Sequence, residues 1–499
     1  MPCAAPSAIF ELYPAKFPVS RLPNNTPDAG SFAELWRVAL PLVLSSGSLS
    51  LMHVVDRIFL TWFSTDALAA ATPAGVLNFM LISFAIGMAN YVNTFVAQYE
   101  GAGLKHRVSA SVWQGLYLSV ASGLVMVPFV LLASTIFSAV GHAPGVQKLE
   151  VEYFSTLCLG STPIVAAAVL SCFFSGRGKT LTVMWVNFSC VLVNLVLDYF
   201  LIFGSSFNEP MGIRGAAIAT VASNALIVCL YCLLIAFHSE CREYRFGQFR
   251  RFDKELFLRM LRYGMPNGLM YFADVSGFSI FIFLVGMIGP RELAATNLTF
   301  NANTLAFVPM MGIGTAVMTL VGKRMGEKRP ELAVRTVWTA FALVGCYMLG
   351  FAALYVFAPD IILLPYAMFG NVEDFEIIRN HVVVLLRFAA VFGFFDGMVI
   401  VFGAAIRGAG DMRFSLVFST IAAWSLMVMP TFIAWKWYTV SLAISWSGCT
   451  AYIVVLGLGF MARFHAGHWM SMRVIEPLDS EVADSEESKP DELVVSGPV

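Results

Sequence analysis

The sequence predicts an all-α integral membrane protein with twelve transmembrane helices arranged as two halves of six. Three observations support this: long apolar segments, an uneven distribution of Lys and Arg between loops, and an internal repeat. The chain has 499 residues and is 58% hydrophobic and 13% charged, whereas a soluble domain is about 45–50% apolar and about 25% charged. Its net charge of −1 argues against a nucleic-acid partner.

A membrane helix needs about 20 mostly apolar residues. Because every backbone N–H in hydrocarbon must be paired within its own segment, these segments are predicted to be helices and not open strands. The twelve predicted spans lie at roughly 34–60, 67–98, 109–138, 150–175, 181–204, 214–238, 258–288, 293–322, 332–357, 378–405, 413–435 and 440–463.

Positive charge alternates between the loops that join these spans. The loops on one side, among them 2–3, 6–7 and 8–9, carry eighteen Lys and Arg, and those on the other side carry five. By the positive-inside rule the basic side faces the cytoplasm, so we expect a multi-pass protein of the plasma (inner) membrane with both termini cytoplasmic.

The two halves repeat at a constant offset of 225 residues. Six spans per repeat give parallel halves, and transporters built in this way place their sites near the bilayer midplane and rock one half against the other. The matched residues are Pro41 with Pro266, Leu68 with Leu293, Asn78 with Asn303, Gly87 with Gly312, Val96 with Val321 and Gly101 with Gly326.

The repeat divides the chain into five parts. Residues 1–31 lack an apolar signal segment and are predicted to be a disordered arm. Residues 32–238 and 258–464 form the two six-helix lobes, which 239–257 join as a cytoplasmic linker. Residues 465–499 are acidic and are predicted to be a disordered cytoplasmic tail.

Polar residues lie inside spans 5 and 6, where burying each of them in the membrane costs free energy that an interaction must offset. Asn194 and Asp198 are four residues apart and therefore share one face of span 5. Thr220 lies in span 6. Carboxylate, amide and hydroxyl oxygens suit Na⁺, or they hold a proton. The alternatives are ordinary hydrogen bonding between helices and, for Asp56 at the end of span 1, a local charge pair with Arg57.

Two further acids lie in the second half, Asp274 in span 7 and Asp396 in span 10. Each has aromatic neighbours and no basic residue within one turn. A carboxylate in such a site exchanges a proton or is neutralised by a cation. The alternative is a buried acid with its hydrogen bonds satisfied. Apart from Arg387, the charges predicted to lie in the interior are acidic.

Aromatic and methionine side chains concentrate in spans 7, 8 and 10. Most are expected to pack or to face lipid, but some are candidates for an adaptable apolar pocket that accepts a flat cation. The candidates are Met270, Tyr271, Phe272, Phe300 and Phe395.

The sequence resembles the multidrug and toxic compound extrusion (MATE) transporters across about 34–463. The residues that carry the resemblance include Pro41 with Asp56, segments 66–70, 96–103 and 175–178, the stretches 194–204 and 212–220, and segment 407–411. The resemblance implies two six-helix lobes in a V and an antiporter that expels organic cations in exchange for Na⁺ or H⁺.

The same resemblance implies residue roles. Asp56, Asn194, Asp198 and Thr220 fall where the family builds its N-lobe cation site, and Pro41 falls at a bend of span 1. The second-half acids Asp274 and Asp396 are similar to the C-lobe pair of the bacterial NorM-type branch, although that branch usually has glutamate where Asp274 stands.

We therefore expect a monomeric ion-coupled exporter of amphipathic, often cationic, organic molecules, with Na⁺ or H⁺ as the coupling ion and no other cofactor. Na⁺ would bind at the N-lobe set or at the Asp274–Asp396 pair. One alternative is a lipid-linked oligosaccharide flippase, which needs a cationic cavity. The other is a membrane-embedded enzyme, for which no metal-binding or nucleophile motif occurs in the sequence.

Overall fold

A computed structural model describes residues 29–204, 209–369, 372–437 and 442–476, and within them all regular structure is helical. Within these residues, eleven helices are long and apolar enough to cross a membrane, and a bent pair of shorter helices makes twelve if the pair is counted as one span, as it is here. The predicted all-α membrane fold is confirmed, with eleven or twelve spans.

In the first half, spans 2 and 4 are each made of two helices. The two helices of span 4 meet at an angle of 43°. Span 1 is Phe32–Phe63, span 2 is Thr65–Asn90 with Val92–Gly101, span 3 is Lys105–Val140, span 4 is Pro144–Leu159 with Ser161–Ser175, span 5 is Thr180–Phe203 and span 6 is Gly212–Phe237.

In the second half, span 11 contains one turn of π-helix, and a short helix Pro359–Phe369 follows span 9. Span 7 is Lys254–Gly286, span 8 is Pro290–Gly326, span 9 is Pro330–Phe357, span 10 is Val372–Ala409, span 11 is Met412–Ala422, Ala423–Val428 and Met429–Trp437, and span 12 is Leu442–His465.

The lobes meet through spans 1 and 2 of the first half and spans 8 and 7 of the second. A Cβ added to Gly101 would lie 2.1 Å from the carbonyl oxygen of Lys323, and one added to Gly326 would lie 2.1 Å from that of Gln98. These two contacts exchange under the 225-residue offset. The sequence repeat is therefore a structural pseudo-two-fold, and glycine is needed where the two backbones touch.

A second symmetric pair of contacts lies deeper along the same interface. A Cβ on Gly87 would meet the Cα of Gly268 at 2.8 Å, and a Cβ on Gly312 would meet the backbone nitrogen of Val43 at 2.6 Å. The offset again converts one contact into the other. We call these four close approaches the seam.

The hydrogen bonds described between the lobes lie in the half of the bundle that carries the basic loops, called here the basic end. Asn93 donates to Thr319 Oγ1 over 2.8 Å, and Gln98 Nε2 donates to the Gly408 carbonyl over 3.0 Å. The lobes are thus joined at the basic end.

The described residues of the predicted arm, linker and tail pack against this end. In the arm, Gly30 donates its N–H to Glu34 and accepts from Thr339 of span 9. In the linker, the Tyr244 carbonyl accepts from Ser109 of span 3. Span 7 begins at Lys254 because Asp253 caps its N-terminus.

The predicted tail boundary at 465 is wrong for residues 466–476. This segment, called here the strap, runs from the end of span 12 across to the first lobe. Its backbone N–H at Val474 donates to Gln98 over 3.0 Å, and Glu476 accepts from Tyr99 over 2.6 Å and pairs with Arg259 of the second lobe. The remaining predicted arm and tail, 1–28 and 477–499, lie outside the described residues.

Candidate functional site

Two carboxylates from different spans meet in the first lobe. Asp198 lies one helical turn after Asn194 in span 5, and Asp56 approaches them from span 1. When the Asn194 amide nitrogen faces the acids, it donates to Asp198 Oδ2 over 3.1 Å and to Asp56 Oδ1 over 3.2 Å. Three of the four residues predicted for the N-lobe site are therefore in contact.

This cluster is closed to solvent. The exposed fraction is 0% for Asp198, 1% for Asn194 and 9% for Asp56. The two carboxyl groups lie close enough to interact directly, and Asp198 Oδ1 has no hydrogen-bond partner among the described residues. Two buried like charges with an unsatisfied oxygen form a place where a proton or a cation is favoured.

The amide of Asn194 can pair with the two acids whether they are charged, protonated or bound to a cation. Turned one way, its nitrogen donates to charged carboxylates. Turned the other way, its oxygen accepts from a protonated carboxyl group or coordinates a cation. The site therefore offers hydrogen bonds in both the empty and the occupied state.

The neighbours of this cluster differ from those expected. Arg57 is exposed, and the basic atom near Asp56 is His53 Nδ1, 4.0 Å from Oδ2, so a charge pair with Arg57 does not account for the acid. Tyr153 of span 4 interacts electrostatically with both acids, and no feature of the sequence singled it out. Thr220 lies in span 6, and the hydrogen bond described for it runs from Asn224 to its backbone carbonyl over 2.9 Å.

Pro41 is buried within the continuous helix of span 1. The close crossing of Gly312 over Val43 lies two residues further on. The proline therefore sits beside the seam, and its role as a bend remains a prediction.

In the second lobe, Asp274 and Asp396 interact electrostatically without a described hydrogen bond between them. Asp274 is exposed and Asp396 is half-buried. Although Asp274 has no basic neighbour in sequence, Arg407 of span 10 lies within its electrostatic range. The acids of the first lobe are therefore buried and bridged by an amide, whereas those of the second lobe are more exposed and are not hydrogen-bonded to each other among the described residues.

A cavity of about 410 Å³ lies between the lobes and is lined by residues of both. Tyr271 lines it. Of the other aromatic and methionine candidates, Met270 is buried, Phe300 stacks on Trp446 with ring centroids 5.0 Å apart, and Phe395 packs edge-on against Phe394.

The last candidate, Phe272, is half-buried and is not among the residues that line the cavity. The sequence did not predict the polar residues in the lining of this cavity. These residues make up the polar part of a lining that is otherwise apolar. They are mainly hydroxyl and amide side chains, with Arg407 as a charged member.

Two basic residues are placed differently from their prediction. Arg407 lies two residues beyond the predicted end of span 10 at 405, but in the structure it is within the span 10 helix and lines the cavity. Arg387, predicted as the interior cation, is exposed. In the described part of the chain, no group of three or more His, Cys, Asp or Glu side chains could hold a metal ion, so a Na⁺ site would need amide, hydroxyl or backbone oxygens beside the acid pair.

Comparisons with known proteins agree with this architecture. The MatE family model matches residues 41–200 and 266–433. A probable multidrug resistance protein NorM of Bradyrhizobium diazoefficiens is 28% identical over 412 residues, which are 82% of this chain and 87% of that protein. The multidrug resistance protein NorM of Burkholderia vietnamiensis is 27% identical over 398 residues, covering 78% and 84%.

A solved structure described as the outward-facing conformation of a multidrug resistance MATE family transporter of the MOP superfamily has a TM-score of 0.77 and 20% identity, and the match covers 89% of this chain and 96% of that one. At this identity it shows the fold alone. The family model matches one segment in each half and more than half of the chain, and the chain belongs to the MATE family, with NorM-type proteins among its relatives.

Proposed function

We propose that the protein is a secondary active multidrug efflux antiporter that exports amphipathic organic molecules in exchange for Na⁺ or H⁺. The observation that carries this proposal is the buried meeting of Asp56 and Asp198, where one carboxylate oxygen is left without a partner. Such a site has no evident use in a static scaffold, and it costs free energy unless a cation or proton occupies it.

The proposed cycle follows from the orientation of the lobes. If the basic end lies in the cytoplasm, as we propose, the seam and the strap join the lobes on the cytoplasmic side in the state described. The coupling ion enters from outside and binds at the Asp56–Asp198 pair. The lobes then separate at the seam. The ion drives this change only if it binds the two states with different affinity.

Relatives named as multidrug resistance proteins support small organic molecules as substrates, and the cavity volume lies within the range of about 300–1,000 Å³ for drug-sized ligands. The Asp274–Asp396 pair is proposed as a second place for a cation. A lipid-linked oligosaccharide flippase is less well supported, because one Arg in the cavity lining gives too little positive charge for a pyrophosphate. Among the described residues, no cluster of side chains that could hold a metal ion favours an enzyme.

The test is dye efflux by the purified protein in proteoliposomes under separately imposed Na⁺ and H⁺ gradients. We expect Asp198→Asn and Asp56→Asn to reduce gradient-driven transport by at least about tenfold, because each removes a group that must change its charge. Asp396→Asn measures the contribution of the second pair. Asp360→Asn is the matched control, since Asp360 forms an exposed ion pair with Arg379.

If both first-lobe variants respond to the gradients like the parent protein, the acid pair does not couple transport. If dye leaves at the same rate without any gradient, the protein is not an antiporter.

A further inference from the structure

Arg407 gives the cavity a charge that a pocket for cations would not have. Of the residues that line the cavity, it alone has a permanently charged side chain, and no Asp or Glu is among them. The other polar side chains that line the cavity are neutral, among them Asn90, Asn267 and Ser171. The cavity wall is therefore largely apolar, with neutral polar groups and a single positive charge.

The guanidinium does not turn away from the membrane interior. Arginine near a helix end ordinarily extends towards water at the membrane surface. Here a Cβ added to Gly403, one turn earlier in span 10, would lie 3.0 Å from Arg407 Nη1. The side chain therefore runs back along its own helix, away from the basic end. Tyr91 of the first lobe donates to the Arg407 carbonyl over 3.1 Å and fixes this part of the helix.

Nothing described in the protein neutralises this guanidinium by direct contact. In the described part of the chain, Arg407 takes part in no salt bridge within 4.0 Å, whereas Arg324 pairs with Glu34 over 2.5 Å and Arg463 pairs with Asp411 over 2.8 Å. Asp274 acts on it only at electrostatic range. A charged side chain at this depth is costly and is ordinarily paired, so an open guanidinium facing a cavity indicates that a ligand supplies the partner.

We propose that Arg407 binds a carboxylate of the transported molecule, so that the cavity accepts amphipathic molecules with an acidic group. This deepens the proposed function and rests on it. The planar guanidinium matches a carboxylate with two parallel hydrogen bonds. Asp274 does not line the cavity, but it is exposed on span 7, three residues beyond the lining residue Tyr271, and it is our candidate partner for a cationic group that extends beyond the lining. The preferred substrates are zwitterionic, and a purely cationic molecule is disfavoured near Arg407.

The test compares two dyes that differ in one group: a rhodamine with a free benzoic acid, and the methyl ester of the same dye. Binding to the protein in phosphatidylcholine nanodiscs is measured by fluorescence anisotropy with no gradient. We expect the parent protein to bind the free acid at least about tenfold more tightly than the ester, the size expected of a hydrogen bond between charged groups.

The variants locate this preference. Arg407→Gln should remove it, and Arg407→Lys should restore part of it, because lysine keeps the charge without the planar fork. Arg413→Gln is the control, since Arg413 is exposed and does not line the cavity. Equal affinity of the parent protein for the two dyes, including no binding of either, overturns the proposal, as does a preference that Arg407→Gln leaves unchanged.

Efflux of both dyes from proteoliposomes separates this proposal from the function on which it rests. A preference for the acid in binding, with no gradient-driven efflux of either dye, supports the role of Arg407 and contradicts the antiporter. Efflux of both dyes with equal affinity supports the antiporter and contradicts the role of Arg407.

Discussion

Replacing Gly101 and Gly326 by alanine should open the basic end of the protein. Each new Cβ would lie 2.1 Å from a backbone carbonyl oxygen of the opposite lobe, and a backbone atom does not yield as the end of a side chain does. Overpacking of this kind costs about 1–3 kcal/mol. A cost of about 2 kcal/mol that falls only on the closed seam shifts the equilibrium about thirtyfold towards states in which the lobes separate there.

The sign of this effect identifies its cause. In an ordinary helix, Gly→Ala stabilises by about 0.5–1 kcal/mol. Gly47→Ala and Gly350→Ala are matched controls, because a Cβ at either position meets nothing within 4 Å. We expect these controls to be neutral or stabilising, and the seam variants to act in the opposite direction.

Hydrogen–deuterium exchange of the protein in nanodiscs measures the opening directly. Segments 96–104 and 321–329, which contain the two crossings, should exchange faster in Gly101→Ala, in Gly326→Ala and most of all in the double variant. Exchange rates in these segments that match those of the parent and of Gly47→Ala would refute the view that the seam holds this state closed.

Two further predictions concern the strap and the second lobe. Glu476→Gln should speed exchange of 466–476, because it removes the charge that pairs with Arg259. Burial alone raises the pKa of the Glu476 carboxyl group, but hydrogen bonds from Tyr99, from its own backbone N–H and from Arg259 outweigh it and lower the pKa. The stabilisation is therefore present at neutral pH and lost as the pH falls through that lowered pKa. Protection against exchange, corrected for the pH dependence of the intrinsic exchange rate, should fall in the parent only below the ordinary glutamate pKa of about 4.3 and should not change with pH in the variant. Trp446→Ala should lower the free energy of unfolding by about 3–5 kcal/mol, since this side chain is fully buried and stacked on Phe300. Thr296→Val removes only the acceptor of the Trp446 N–H and should lower it by about 1 kcal/mol. Thermal unfolding in detergent compares the two variants.

The internal repeat was the most informative part of the sequence. Hydropathy and loop charge predict the number of spans, because both depend on composition averaged over about 20 residues. The constant offset predicts which residues are equivalent. The structure gives this equivalence a physical basis, since Gly101 and Gly326 each touch the backbone of the other lobe.

The acid site was only partly predictable. The four-residue spacing placed Asn194 and Asp198 on one face of span 5, but no local pattern brings Asp56 to them, and only the family resemblance did so. Tyr153 gave no signal, because a tyrosine in an apolar span looks the same whether it faces lipid or an acid. Side-chain direction decides such cases, and it depends on the packing of neighbouring helices.

Arg407 illustrates the same limit. A basic residue near the end of a span is read as part of a loop, because hydropathy defines where a helix leaves the membrane but not where a long side chain points. Only the contact with Gly403 and the position in the cavity wall reveal that it extends inwards. The sequence therefore predicted a pocket for cations, whereas the cavity wall carries a positive charge from Arg407.

The symmetric seam and the asymmetric acids together indicate how one ion could move both lobes. The repeat places Phe281 opposite Asp56, and Phe281 is fully buried and apolar, so an ion bound at the proposed Asp56–Asp198 site would act on the first lobe alone. Span 1 connects the parts: it carries Asp56 in the acid pair, Ser45 in the cavity wall and Val43 at the seam. From Val43 to Asp56 a helix rises about 20 Å. Neutralising Asp56 removes its repulsion from Asp198 in span 5, and any shift of span 1 that follows is transmitted along one rigid helix to the cavity and to the crossing with Gly312. If both lobes carried the same acids, ion binding would act equally on the two sides of the seam. It would then change the position of one lobe relative to the other by less.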